Sequence, residues 1–263
     1  MNNLFKRSYQ LAELMFLASS SPTHVTMIEA DSTGHDVESV LTHWAGGIGV
    51  DPEPAMYAPW KAYTLLAKGA KKGISKTPIP NFLHGCPYAG ALRENQYITS
   101  CSGWNNDKVD LLLAALLMYS IKEEVRFHHA GFSYPSEKAC KEGMYRSMER
   151  FSTMFSHNEK LQNFSETKSK GWYVEVNSEL SPNGKFWIEH QYSPQNPTIS
   201  LHWDIATTNP ESLVSYISKQ VGEPQYVKRI QDSPSAKIAI MDTNGTEIAI
   251  MARPNWSAVE DWK

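Results

Sequence analysis

Leu4, Leu11, Leu14, Met15 and Ala18 recur at helical spacing, which predicts an amphipathic first helix that the Ser19-Ser20-Ser21-Pro22 run stops. The short apolar run Val25 to Ile28 reads as a strand. Thr33 and Asp36 form a capping pattern before Val37, Val40, Leu41 and Trp44, so a second helix is expected there, ended by Gly46-Gly47. A third is expected from Pro59 to Lys68, and the Gly and Pro punctuation that follows predicts irregular structure near 70–103. The clearest helix runs from about Asn106 to His129, with Asn105 or Asn106 as its cap, Asp107 in its first turn and Gly131 just past its end. Its middle is apolar all round, so it should be central. Pro135 opens another helix, in which Cys140, Met144, Met148, Phe151 and Phe155 share one face. Together these two read as an αα-hairpin.

From His157 to Lys170 the chain is polar, with only Leu161 and Phe164 as apolar anchors, and beyond it the period changes to two. That change places a boundary between a mainly helical domain, 1–160, and an antiparallel α+β domain, 171–263. Strands are expected at about Trp172 to Asn177, Lys185 to Tyr192, Thr198 to Ile205, Tyr226 to Ile230, Ala236 to Met241 and Thr246 to Ala252. Between the third and fourth, Asn209 as cap, Pro210 at the first position and Glu211 in the first turn start a helix. The expected class is α+β, a helical N-terminal part followed by a mainly antiparallel sheet with one helix. No internal repeat is visible in the sequence.

The most specific geometric reading concerns Ser193-Pro194-Gln195-Asn196-Pro197, which can close a hairpin pairing Tyr192 with Ile199. His190 then pairs with Leu201, Ile188 with Trp203 and Phe186 with Ile205, giving a continuous apolar face. On the other face Glu189 lies opposite His202 and Trp187 opposite Asp204, and Glu175 on the preceding strand can approach. Glu175, Glu189, His202 and Asp204 together can hold a divalent metal and activate water for hydrolysis. The plainer reading is the solvated face of an antiparallel sheet. His190 belongs to the apolar side, as a hydrogen-bonded core histidine.

Other constellations carry less. His84, Cys86, Cys101, Cys140, His128 and His129 are zinc-ligand types, but no Cys-x-x-Cys pair organises them. His128 and His129 suit the last turn of a helix, where the dipole favours them, and Glu124 one turn earlier offers a Glu-His ligand pair. A nucleophilic cysteine needs a low-pKa thiol beside a histidine, which the sequence does not place. The segment Lys61 to Lys76 holds five lysines and no acid, and Lys71 and Lys72 are its candidates for an anionic partner, against a solvated loop. Walker A is excluded, because Ser75 stands where glycine must precede the lysine.

Composition bounds the reading further. With 263 residues and 41% hydrophobic content the chain can bury its own core. A formal charge of -3 argues against nucleic acid and anionic membranes as partners. Lys6-Arg7 before Leu11 to Ala18 imitates a signal peptide, but Gln10 and Glu13 interrupt it. Three cysteines make no disulfide framework, so a reducing, cytoplasmic setting is expected. The most apolar stretch, Val109 to Ile121, is shorter than the roughly 20 residues of a bilayer span.

Motif poverty and many aromatics, Tyr57 and Trp60 among them, favour a non-catalytic factor that binds a protein partner or its own copies. An oligomeric inhibitor of phage or mobile-element type, with no cofactor, is the expectation. The alternative is a metal-dependent hydrolase on the carboxylate and histidine cluster of the C-terminal sheet, which requires a divalent ion.

Overall fold

Pairing partners far apart in the chain, more than local helical spacing, set the architecture. The computed structural model describes residues 6–8, 10–12, 15, 23–45, 52–68, 72–74, 88–104, 106–152, 157–158, 170–177, 185–194, 199–223, 226–230 and 233–254. The chain forms two units, Met1–Glu123 with Tyr216–Gly222, and Glu124–Ser215 with Glu223–Lys263. The division falls at Glu123 and Glu124, whereas the polar stretch 157–170 had suggested the boundary.

Unit 1 contains β1 (Thr23–Ala30), β2 (Val37–Ala45), α1 (Pro52–Ala67), β3 (Lys72–Ile74), β4 (Ala91–Glu94), β5 (Tyr97–Ser102) and α2 (Asp107–Lys122). Its antiparallel sheet has the order β2-β1-β5-β4-β3. The expected helix at Val37 to Trp44 is strand β2, paired with β1 from Thr23↔Ala45 to Ala30↔Val37. Cross-strand pairing overrides the helical spacing there, and the β-branched Val37, Val40 and Thr42 suit it. Likewise the stretch near 70–103 is not irregular throughout, since it supplies β3, β4 and β5. The first part is therefore a sheet with helices, while the α+β class stands.

Neighbouring strand residues point to opposite faces. Ile98 clusters with Ile28, Ala30, Ala91 and the α1 residues Ala62, Leu65 and Leu66. Thr99 Oγ1 instead donates to the Ala114 carbonyl of α2 at 2.7 Å. The sheet is thus flanked by α1 on one face and α2 on the other. At its end Lys61 of α1 donates to Asp110 Oδ2 of α2 at 2.8 Å and to the Cys101 carbonyl at 3.0 Å. Gly90 opens the way: its φ is +121°, and a Cβ there would stand 2.8 Å from Lys61 Nζ and 2.6 Å from Asp110 Cβ. Both charged side chains are buried, and burial raises the Asp110 carboxyl to about 7, with Lys61 opposing the rise. Lys61, read from sequence as part of a solvated basic run, is a structural counter-ion.

Unit 2 contains β6 (Val125–Tyr134), α3 (Glu137–Ser152), β7 (His157–Asn158), β8 (Lys170–Asn177), β9 (Lys185–Tyr192), β10 (Ser200–Thr207), α4 (Pro210–Val221), β11 (Tyr226–Ile230), β12 (Ser233–Met241) and β13 (Glu247–Arg253). The last turns of α4 count with unit 1. The sheet order is β11-β12-β13-β10-β6-β9-β8-β7, with β6–β9 and β10–β13 parallel and the other pairs antiparallel. Two βαβββ modules meet through their first strands, β6 and β10. A structural repeat is present that the sequence did not announce.

The expected helix from Asn106 to His129 begins as read, with Asn106 accepting from Lys108 N at 2.9 Å, but ends at Lys122. Glu123 is already extended, with φ −121° and ψ 149°. Val125 and Phe127 begin a strand whose β-branched and aromatic residues contrast with the Leu- and Ala-rich helix before it. On the face covered by α3, β6 contributes Ala130, Phe132 and Tyr134, and the Tyr134 hydroxyl meets His190 Nδ1 at 3.0 Å. His190 is the hydrogen-bonded core histidine expected of it. At α4 the cap also forms, Asn209 Oδ1 accepting from Ser212 N at 3.0 Å. No helix among the described residues is long and apolar enough to cross a membrane.

Asp110→Asn leaves the Lys61 ammonium buried without its counter-charge, and is expected to lower unfolding free energy by about 3–5 kcal/mol. Urea denaturation at pH 7.5 reads this as a drop in midpoint. The double variant Lys61→Met, Asp110→Leu should recover most of the loss, because no unpaired charge remains.

Candidate metal centre

Each module presents a histidine at the same place on its first strand. His129 lies eight residues before α3 begins at Glu137, and His202 eight residues before α4 begins at Pro210. Because β6 and β10 are adjacent and antiparallel, the two rings converge at the middle of the sheet. One cross-strand row reads Glu189, Gly131, His202 and Ala249, and the next reads Trp187, His129, Asp204 and Met251. Glu189 is the fifth residue of β9, and Met251 the fifth of β13. Thus the modules match in their histidines and differ at the flanking position.

Gly131 makes the convergence feasible. A Cβ on it would stand 2.5 Å from His202 Nε2 and closer still to Cε1, so the imidazole lies directly over the glycine. The demand here is for space, since Gly131 has no positive φ. Over that gap His202 Nε2 comes within 3.4 Å of His129 Nε2. Glu189 completes the group, with one ligand atom from each of His129, Glu189 and His202 lying within 4.8 Å of the others. Glu189 is 2% exposed, and its Oε2 accepts from Gln191 Nε2 at 3.1 Å.

Burial governs the electrostatics. It raises the Glu189 carboxyl to about 7, opposed by Arg253 and the Gln191 hydrogen bond, and raises Asp204 to about 7 against the nearby Arg253. It lowers His202 to about 4, aided by Arg253 and Lys237, and holds His129 well below the ordinary value. At neutral pH the imidazoles are therefore neutral, the form that ligates a metal. Arg253 Nη2 stands 2.8 Å from Asp204 Oδ2, and that oxygen is 3.8 Å from His129 Nε2. A second possible grouping, His128, His129 and Asp204, shares His129 with the first.

The donor set fits a first-row divalent ion. Two nitrogens each about 2.1 Å from one ion, at the tetrahedral angle, stand about 3.4 Å apart, and the two Nε2 atoms are 3.4 Å apart. Two imidazoles with one carboxylate suit Fe²⁺, Mn²⁺ or Zn²⁺. A buried carboxyl raised to about 7 is also a group whose charged form a cation would stabilise.

Of the residues singled out from sequence, Glu189 and His202 are brought together, one strand apart, with β6 inserted where a hairpin had been expected. Asp204 flanks the group. Glu175 sits on β8 opposite Trp187, and its side chain lies outside the described residues. Reading β6 as the end of a helix gave His129 a place apart from Glu189 and His202, which the strand corrects. Glu124 is exposed and hydrogen-bonded by Arg126 Nε at 2.8 Å, apart from the cluster.

Among the described residues the other sequence candidates form no further metal-ligand group. His84, Cys86 and Lys71 lie outside the described residues, as does the side chain of Lys72, whose backbone pairs with Glu94. Cys101 and Cys140 are buried free thiols in different units, and burial pushes Cys101 well up and Cys140 to about 12, far from a reactive thiolate. Tyr57 and Trp60 stack at 6.0 Å on α1, and Tyr88 meets Tyr57 edge-on at 5.1 Å.

No protein-family model and no curated protein matches the sequence. Among solved structures the chain is similar to methylmalonyl-CoA epimerase from Mycobacterium tuberculosis, at 11% identity over 50% of this chain and 89% of that one, TM-score 0.29. A glyoxalase/bleomycin resistance protein/dioxygenase superfamily member from Vibrio splendidus 12B01 gives 10% identity over 50% and 99%, TM-score 0.25. A hypothetical protein from Bacillus halodurans C-125 gives 10% over 52% and 99%, TM-score 0.29. These superpositions are too loose to carry chemistry. The correction to function comes from the side chains. A non-catalytic inhibitor needing no cofactor does not account for two histidines and a buried glutamate brought together, one of the histidines over a glycine, and that expectation gives way to a group that could hold a metal ion.

Gly131→Ala should push the His202 ring off its seat. The expected result is a destabilisation of about 1–3 kcal/mol by overpacking, read by thermal denaturation, together with altered His202 ring resonances in the metal-free protein.

Proposed function

We propose that unit 2 is the catalytic part of a divalent-metal-dependent enzyme, with His129 Nε2, His202 Nε2 and the Glu189 carboxylate as protein ligands. The observation that carries this reading is the meeting of two imidazole Nε2 atoms at 3.4 Å beside a buried glutamate, over a glycine that leaves room for them. Three protein ligands leave coordination positions for water or substrate, the arrangement of catalytic rather than structural sites. When bound, the ion supplies Lewis-acid polarisation of a substrate oxygen and lowers the pKa of bound water.

The chain's own groups set the surroundings. Trp187 stacks on His129 at 5.3 Å and 9°, which fixes the plane of that ligand. Half-buried His202 leaves the group reachable on its side, while His129 and Glu189 close the other. Asp204, with a carboxyl raised to about 7, is placed to hold or release a proton near neutral pH, and Arg253 steadies its anionic form. Relative to the hydrolase alternative read from sequence, Glu189 and His202 keep their role, His129 joins them and Asp204 moves to proton handling.

Titration of chelator-treated protein with Co²⁺ or Zn²⁺ should give one ion per chain. Glu189→Gln and His202→Ala should each weaken binding by more than about 100-fold, beyond the 10–100-fold typical of outer partners. No saturable binding, or binding unchanged in both variants, would sink the reading.

Proton competition gives a second check. The Glu189 carboxyl binds its proton at about 7 while His202 stays neutral down to about 4. Affinity should therefore fall as pH drops below 7, by about tenfold per unit for one displaced proton, and should level off above pH 8.

A further inference from the structure

We propose that His128 is a positioning residue that keeps the proton of His129 on Nδ1, and so leaves the His129 Nε2 lone pair directed at the ion. The inference rests on the reading of His129 as a metal ligand. His128 Nδ1 and His129 Nδ1 are 2.7 Å apart, and both residues are buried. At that distance one nitrogen carries a proton and the other accepts it. A neutral imidazole has a single N–H. Since His129 Nε2 faces His202 Nε2, ligation there requires the proton on Nδ1, with His128 Nδ1 as its acceptor.

Consecutive strand residues ordinarily point to opposite faces, which would keep these two rings apart. The ladder between β6 and β10 is irregular at this point: Asp204 pairs with His129 but Ile205 with Phe127, so His128 is the extra residue of a bulge. The bulge brings the second ring beside the first, a use of extra residues common next to active sites. Trp187 holds the pair, stacked on His129 at 5.3 Å and edge-on to His128 at 4.2 Å. In this arrangement His128 contacts the ligand and not the ion, which separates it from the grouping in which His128 itself would coordinate.

The test uses the full-length ¹⁵N-labelled, metal-free protein and needs no variant for its first arm. A long-range ¹H–¹⁵N spectrum should show His129 protonated at Nδ1, and an Nε2–H tautomer in wild type would overturn the inference. His128→Leu should move the His129 proton toward Nε2 and weaken Co²⁺ binding by about 10–100-fold. His128→Asn, whose Oδ1 can accept where Nδ1 did, should restore both, and it serves where the leucine variant folds poorly. Unchanged tautomer and affinity in His128→Leu would overturn the proposal. So would complete loss of Co²⁺ in both variants, which would make His128 a ligand. If wild type binds no Co²⁺ the metal reading fails and takes this role with it, a result visible in wild-type protein alone.

Discussion

Two histidine rings converge over the sheet of unit 2 because a strand beside them gives up its own side chain. The place is Gly131, on the strand between Glu189 and His202. Everything else at the site follows from the vacancy above it. The His202 ring fills it, which brings its Nε2 to His129 from the equivalent position of the other module. Glu189 reaches the same point from the far side of β6. Without a side chain missing at 131, two strands of imidazoles and carboxylates would have to splay apart or turn to solvent.

Unit 1 solves a related problem in the same way. Lys61 and Asp110 come from helices on opposite faces of a sheet, and they meet past Gly90, where a Cβ would strike both. The physical outcomes differ, because the charge balance differs. Lys61 and Asp110 neutralise each other, so the pair is a finished structural contact whose disruption is costly. At the centre of unit 2 the neutral imidazoles cannot neutralise Glu189, and Arg253 is engaged with Asp204. Burial raises both carboxyls to about 7, as it does Asp110, but beside Glu189 neutral imidazoles stand where Lys61 stands in unit 1, a set that a cation can complete.

The sequence carried several parts of this plainly. Alternation in 171–263 marked β8, β9, β10, β12 and β13 and put Glu189 and His202 on one face, because a two-residue period depends only on which side of a strand is buried. Capping chemistry marked the starts of α2 and α4 at Asn106 and Asn209, because those bonds close within a few residues. The class α+β followed. Where the reading went wrong, at Val37 to Trp44 and at Val125 to Tyr134, spacing alone also allowed a helix, and pairing with strands distant in the chain decided otherwise.

What the sequence by itself determined is thus the local chemistry: which residues face a core, where two helices begin, and that carboxylates and a histidine share a strand face. Only the tertiary structure decided that β6 enters between β9 and β10, that its bulge sets His128 beside His129, and that Gly131 makes room for His202. The physical reason is that a strand's neighbours are not encoded in its own period. Two segments separated by about seventy residues must meet before either histidine acquires its partner.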